Sequence, residues 1–219
     1  MNQRAEHPRV SRSLAEQAYL ALEEQVVTLE LPPGSLVQEK QLVDGLGIGR
    51  TPVREAVQRL AGHGLFRIMP RKGLMVTPVL KSELHEVLET RRVLERLLVV
   101  KAAERADSEQ RDELDHLAAD IDRSANDLPG FLRLDRRLDE LLESACDNPY
   151  LVKAMAPLHT HCRRLWFLKH RQPDVHDSAG LHAGLARAVS ANDGSGAIRA
   201  LNGIISGMEH LIGGLDAIS

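Results

Sequence analysis

The stretch G-R-T-P-V-R-E-A-V-Q-R-L, from Gly49 to Leu60, sets Arg50 and Arg54 one helical turn apart. Two guanidiniums at that spacing can address the same few base pairs of DNA, one suited to a guanine edge and the other to a base or phosphate. A second basic pair, Arg71 and Lys72, lies in P-R-K-G between two short apolar runs. A single arginine on a helix merely solvates its surface. The two pairs together point to nucleic acid. The chain as a whole carries a net charge of −3, so such a contact must come from a local patch rather than from a general field. Residues 1–78 hold 10 Lys and Arg against 8 Asp and Glu, whereas residues 79–219 hold 18 against 23. The basic bias belongs to the first part.

The surrounding residues read as the elements that would hold those cations in place. After a polar leader, Ser13 and Glu16 have the spacing of a capping box, and an apolar helical period from Leu14 to Leu29 predicts a first helix. Leu31-Pro32-Pro33-Gly34 stops it, and a short helix over Glu39 to Asp44 ends at Gly45 and Gly47. Thr51 is expected to cap the third helix through its hydroxyl, with Pro52 at the first helical position, where the missing amide proton costs nothing. Val53, Ala56, Val57 and Leu60 then form one apolar stripe. Leu65 to Met69 and Leu74 to Thr77 read as two strands of a hairpin with a basic tip. Helix, short helix, helix with a basic leading end, and hairpin is the order of a winged helix-turn-helix, in which the third helix enters the major groove by its N-terminal end. Arg59, the third arginine of the stretch, is expected at the surface.

These residues resemble a known family. P-P-G-S-L-V-Q-E-K-Q-L, L-G-I-G-R-T-P-V-R-E-A-V-Q-R-L and G-L-F-R-I-M-P-R-K-G look like the DNA-binding domain of GntR-type bacterial transcription regulators. The resemblance implies that Lys40, Arg50, Thr51, Arg54 and the wing residues Arg71, Lys72 and Gly73 touch operator DNA. Gly49 stands where that family usually has serine or threonine. A small loss of backbone rigidity or of one phosphate contact is expected there.

Residues 79–219 read as all helix, with apolar periods over 84–106, 111–121, 131–145, 150–169, 178–191 and 195–215, and with no convincing strand after residue 78. The fold expected is therefore mostly α: a winged helix-turn-helix over 1–78 and an all-helical bundle over 79–219. E-T-R-R-V-L-E from Glu89 and D-R-R-L-D-E-L-L-E-S-A-C-D-N-P-Y-L from Asp135 are similar to the FadR subfamily, whose C-terminal, FCD-type domain senses a ligand and forms the dimer. Many members hold a divalent metal through one aspartate and three histidines, beginning with D-x-x-x-H. By that resemblance the ligands fall on Asp135, Asp139, His182 and Ile204, so one histidine has become a carboxylate and another an isoleucine. Asp135, Asp139 and His182 can still hold zinc, nickel or manganese if water or a carboxylate effector completes the shell. The alternative is a polar pocket in which the aspartates pair with basic neighbours and the effector binds without metal. Arg91 matches an arginine of the subfamily pattern and either grips a carboxylate effector together with Asp135 and His182 or pairs with Glu95 at the surface. Arg163 and Trp166 are weaker pocket candidates. His159 and His161 point to different sides of a helix and are assigned to core or surface rather than to a metal.

The expectation is a homodimeric repressor on a palindromic double-stranded DNA operator, released by a small organic-acid effector. One rival is a regulator whose sensor has lost metal and ligand. Another is a metal-dependent enzyme, against which stands the lack of any nucleophile–base pair or phosphate loop at useful spacing. Cys146 and Cys162 lack metal spacing, and no apolar run suits a signal sequence or a membrane span, so a reduced, cytoplasmic protein without a membrane partner is expected.

Overall fold

A computed structural model of the 219-residue chain describes residues 13–169 and 172–214, the side chains of 172–174 excepted. The polar leader and the last residue of the expected 195–215 helix lie outside the described residues. The chain divides into two compact units, Met1–Thr77 and Pro78–Ser219.

The first unit is built from α1 (Leu14–Val27), β1 (Leu36–Val37), α2 (Glu39–Leu46), α3 (Arg50–Gly62), β2 (Phe66–Met69) and β3 (Gly73–Val76). Ala18, Leu22 and Val26 of α1 meet the Val53, Ala56, Val57 and Leu60 stripe of α3 in one core, closed by Leu65, Phe66, Leu74 and Val76 from the hairpin. Ser13 caps α1 by accepting from the Glu16 amide at 3.1 Å. The Glu16 carboxylate, which a capping box would turn back on Ser13, instead takes Arg59 of α3 at 2.6 Å, and the Arg59 guanidinium lies 3.7 Å from the centre of the Tyr19 ring. Arg59 thus ties α3 to α1 through an ion pair and a cation–π contact. The sheet has a third strand that periodicity could not show: β1 is two residues long and pairs antiparallel with β3, giving the order β1-β3-β2.

The second unit packs α4 (Lys81–Arg105), α5 (Ser108–Arg123), α6 (Leu128–Cys146), α7 (Pro149–Lys169), α8 (Gln172–Ser190) and α9 (Gly194–Gly213) around one apolar core, with no strand among the described residues. Its connections are short, and three of its helices start at an aspartate. Asp107 caps α5 in a capping box with Gln110, Asp127 precedes α6, and Asp193 caps α9 through the Gly196 amide. Arg111 holds two helix ends at once. Its guanidinium donates to the carbonyls of Ala103 and Ala106 at the end of α4 and of Val189 and Ser190 at the end of α8, at 2.7–3.1 Å. Those carbonyls lack intrahelical partners and carry the negative pole of each helix, so one fixed cation satisfies both. Arg111→Ala should therefore lower the stability of the chain by about 3 kcal/mol. Urea unfolding followed by helical circular dichroism measures this, and a change within error would show that water replaces the clamp.

Candidate functional site

The cationic face of the first unit is assembled from three elements. α3 begins at Arg50, with Gly49 as its N-cap, so Thr51 lies inside the first turn and is not the cap expected from its hydroxyl. Gly49 offers no side chain to the leading amides of the helix, which stay open to an anion such as a phosphate. Arg50, Thr51 and Arg54 are all exposed, as is Lys40 on α2. Arg54 meets Glu39 of α2 at 3.3 Å while remaining 69% exposed, a contact weak enough to be given up. Arg71 and Lys72 form the exposed tip between β2 and β3, with Arg71 at φ +65°. The tip is anchored by Gln38, whose side-chain amide donates to the Lys72 carbonyl at 3.0 Å. Gly73 sits at φ +102°, and a Cβ there would come within 2.7 Å of the Val37 carbonyl oxygen, so β1 can approach the hairpin only across a glycine. The structure gives Gly73 a packing reason, independent of any contact with DNA.

In the second unit four helices bring charged side chains into one buried cluster, and a fifth, α9, closes it with apolar ones. α4 supplies Arg91, with Glu95 paired behind it, α6 supplies Asp135 and Asp139, α7 supplies His159 and Arg163, and α8 supplies His182; Cys162, Trp166, Ile204 and Met208 complete the wall. Arg91 makes a two-armed pair with Glu95, one arm at 3.0 Å, and both residues are buried. The pairing with Glu95 therefore lies in the pocket wall rather than on the surface. Arg163 Nη1 lies 2.7 Å from Asp139 and 3.8 Å from Asp135. His159 Nδ1 lies 3.0 Å from Asp139, and its Nε2 stands 3.7 Å from Glu95, an ion-pair distance too long for a hydrogen bond. His182 donates from Nδ1 to the Ser178 carbonyl at 2.7 Å and turns Nε2 to Asp135 at 3.2 Å. Ile204 faces the same cluster, as the resemblance requires of that position. The space left among these groups is about 10 Å³, room for one water at most.

The cluster sets the charge of its members. Burial works against the charged form of His159, but Asp139 and then Glu95 outweigh it and hold the imidazole up to about 9. Burial also opposes the charge on His182, and Asp135 with the Ser178 carbonyl again raises it. Glu95 is held down to about 2, since Arg91 and His159 overcome its burial, and Asp135 lies well below the usual carboxylate range because of His182, Arg163 and Arg91. Glu143, one turn beyond Asp139, is pushed up to about 7 by burial and by the Asp139 carboxylate.

Sequence reasoning brought Arg91, Asp135, Asp139 and His182 to this pocket but set Glu95 and His159 outside it. The signal that would have found them is the recurrent four-residue step. The pairs 91/95, 135/139 and 159/163 each place two charged or titratable groups on one turn of a helix, on a face otherwise apolar. Among the described residues, the donor atoms that lie within 4.8 Å of one another belong to Glu95, Asp139 and His159, rather than to the expected Asp135, Asp139 and His182.

An exposed basic helix end beside an anchored basic hairpin, joined in one chain to a helical unit with an internal polar pocket, defines a winged-helix DNA-binding regulator with a helical sensor unit. The family of bacterial regulatory proteins called gntR matches residues 14–76, and the FCD domain matches residues 86–207. The chain belongs to the GntR family of transcription regulators that carry an FCD domain. It is 35% identical over 132 residues to an uncharacterized HTH-type transcriptional regulator in the TAR-I ttuE-ttuC' intergenic region of Agrobacterium vitis, covering 57% of this chain and 76% of that one. With YdhC of Bacillus subtilis, also an HTH-type transcriptional regulator, it shares 28% identity over 139 residues, 62% of each chain. The solved structure of McbR/YncC from E. coli has the same fold, with a TM-score of 0.77 at 24% identity over 90% of this chain and 95% of that one. Both sequence relatives are described as HTH-type transcriptional regulators. Regulators of the family bind operator DNA and usually act as dimers, and some FCD domains bind metal.

The raised imidazoles give the helical unit a definite pH dependence. Folding adds a proton to His159 above its unfolded value of 6.5, so its stabilisation is complete below that pH and disappears as pH rises through about 9. The midpoint of thermal unfolding should fall between pH 6.5 and pH 9.5, and His159→Asn should flatten that slope. Equal slopes in the two proteins would place the titration elsewhere.

Proposed function

We propose that the chain is a homodimeric repressor that reads a palindromic operator through α3 and the wing, and whose helical unit responds to a small carboxylate metabolite. The observation that carries the DNA-reading role is the exposure of Arg50 and Arg54, one turn apart at the uncapped end of α3, beside the Arg71–Lys72 tip. In this reading Arg54 leaves Glu39 and donates to a base edge, Arg50 reaches the same or the adjacent step, and Thr51 and the open amides of α3 take a phosphate. Lys40, Arg71 and Lys72 position the unit on the backbone, and Gly73 shapes the tip.

A two-fold pair of such units reads two half-sites. Val93 and Leu97, one turn apart on α4 and 69% and 45% exposed, give the helical unit an apolar stripe that a second copy would cover. Beside the charged cluster lies a cavity of about 170 Å³ whose wall includes Leu181 and Leu211 and shares Trp166 and Ile204 with the cluster. It suits the apolar body of a small organic acid, whose carboxylate would compete with the protein's own carboxylates for Arg91 and Arg163 and disturb His182 and Asp135. Binding there would favour one arrangement of the dimer over another and so shift the population able to hold DNA. The tight closure of the cluster favours a second reading, in which the sensor has lost its ligand and the dimer acts by architecture alone. A thermal-shift panel of organic acids separates the two, because a ligand of the folded state must raise its stability.

Arg54→Ala should weaken operator binding by about 10- to 100-fold, the worth of one good base contact, whereas Lys72→Ala should weaken binding to all sequences alike and reduce the salt slope by about 1. Fluorescence anisotropy at several salt concentrations reads both effects. Undiminished operator affinity in Arg54→Ala would remove α3 from its assigned role.

A further inference from the structure

We propose that the sensor pocket of this chain carries the guanidinium of Arg163 in the place of a metal ion, so that it senses without metal. The inference rests on the reading of this pocket as the sensor and goes beyond it by naming the cation that a ligand must meet.

Four observations carry it. The first is position: Arg163 Nη1 lies within ion-pair reach of both Asp135 and Asp139, 3.8 and 2.7 Å away, and its side chain is buried. The two carboxylates, one turn apart on α6, therefore already share a cation bonded to the chain. The second is the state of the imidazoles. A metal takes a bare ring nitrogen, but both nitrogens of His182 face acceptors, the Ser178 carbonyl and Asp135, and His159 turns Nδ1 to Asp139 at 3.0 Å, which leaves only its Nε2, 3.7 Å from Glu95, without a hydrogen bond. Three of the four ring nitrogens are therefore already engaged by the protein's own groups. Glu95 Oε1, the remaining donor of the closest triplet, is committed to Arg91 at 3.0 Å.

The third observation is charge. Arg91 and Arg163 already answer Glu95, Asp135 and Asp139, and the His159 and His182 rings lie against Asp139 and Asp135, with Glu143 at the edge of the cluster and the Cys162 thiol beside Arg91. A divalent ion would add two positive charges to a buried set whose carboxylates are all engaged. The fourth is space. The gap of about 10 Å³ takes one water, and Ile204 closes it where a further ligand would be needed. The donor set does not fit a metal as it stands, and what makes the fit fail is Arg163.

The test uses the full-length protein, purified without chelator, with metal content measured by mass spectrometry and thermal stability measured with and without manganese or zinc chloride. The wild type should hold far less than one metal per chain and melt at the same temperature with either salt. Arg163→Gln removes the cation that Asp135 and Asp139 share, so it should melt lower and regain stability when manganese or zinc is added. Arg163→Lys, which keeps the charge, should ignore both metals. If Arg163→Gln does not fold, the wild-type metal content and melting still decide the matter. A stoichiometric, chelator-removable metal in the wild type overturns the inference, as does an Arg163→Gln protein that folds and stays indifferent to metal. Operator binding is measured on the same samples. A protein that holds metal and also binds its operator defeats this inference alone, whereas a metal-free protein that selects no DNA sequence defeats the proposed function alone.

Discussion

A carboxylate sealed inside a bundle of helices must find a positive charge there, because the desolvation it suffers is not returned by any water. In the helical unit this requirement falls on Glu95, Asp135 and Asp139, and Arg91, Arg163, His159 and His182 meet it. The partners come from different helices, so the ion pairs also fix how those helices lie. Arg163 of α7 spans two carboxylates of α6, and His159 of α7 reaches both α6 and α4. His182 brings in α8. Removing a partner weakens the answer to a buried charge, and anything that enters the cluster must substitute for a partner already in place. That is the physical basis on which a small acid could move helices, since a new anion at Arg163 or Arg91 releases a carboxylate that then has to be accommodated elsewhere.

The winged unit solves a different problem, which is to leave cations free while holding their backbone still. The apolar stripe of α3 is buried against α1, and Arg59 reinforces that contact through Glu16 and Tyr19. On the opposite face Arg50 and Arg54 meet almost nothing except Glu39, and the exposed pair that Arg54 makes with it costs little to break. The wing follows the same rule. Gln38 and the close approach of β1 across Gly73 pin the hairpin, while Arg71 and Lys72 remain in water.

Much of this was legible in the sequence because it rests on period and chain stops. The order of elements in the winged unit, the stripe of α3, the basic tip and the all-helical second part all follow from apolar spacing, glycines and prolines. The convergence of Arg91, Asp135 and His182 came instead from the family resemblance. Three things were not legible, each for a physical reason. β1 is two residues long and has no period, and its existence depends on β3 lying beside it. Thr51 can cap a helix, but Gly49 takes that place because the chain turns helical two residues earlier. His159 and Glu95 look like core or surface residues on their own helices, and only the packing of α7 against α4 and α6 makes them members of a charged cluster.

The account turns on which cation stands between Asp135 and Asp139. Crystals grown in the presence of zinc and measured across the zinc absorption edge would show it directly. The expected map has guanidinium density bridging the two aspartates and no anomalous peak in the pocket. A peak bound by either aspartate with His159 or His182, and Arg163 turned away, would contradict it.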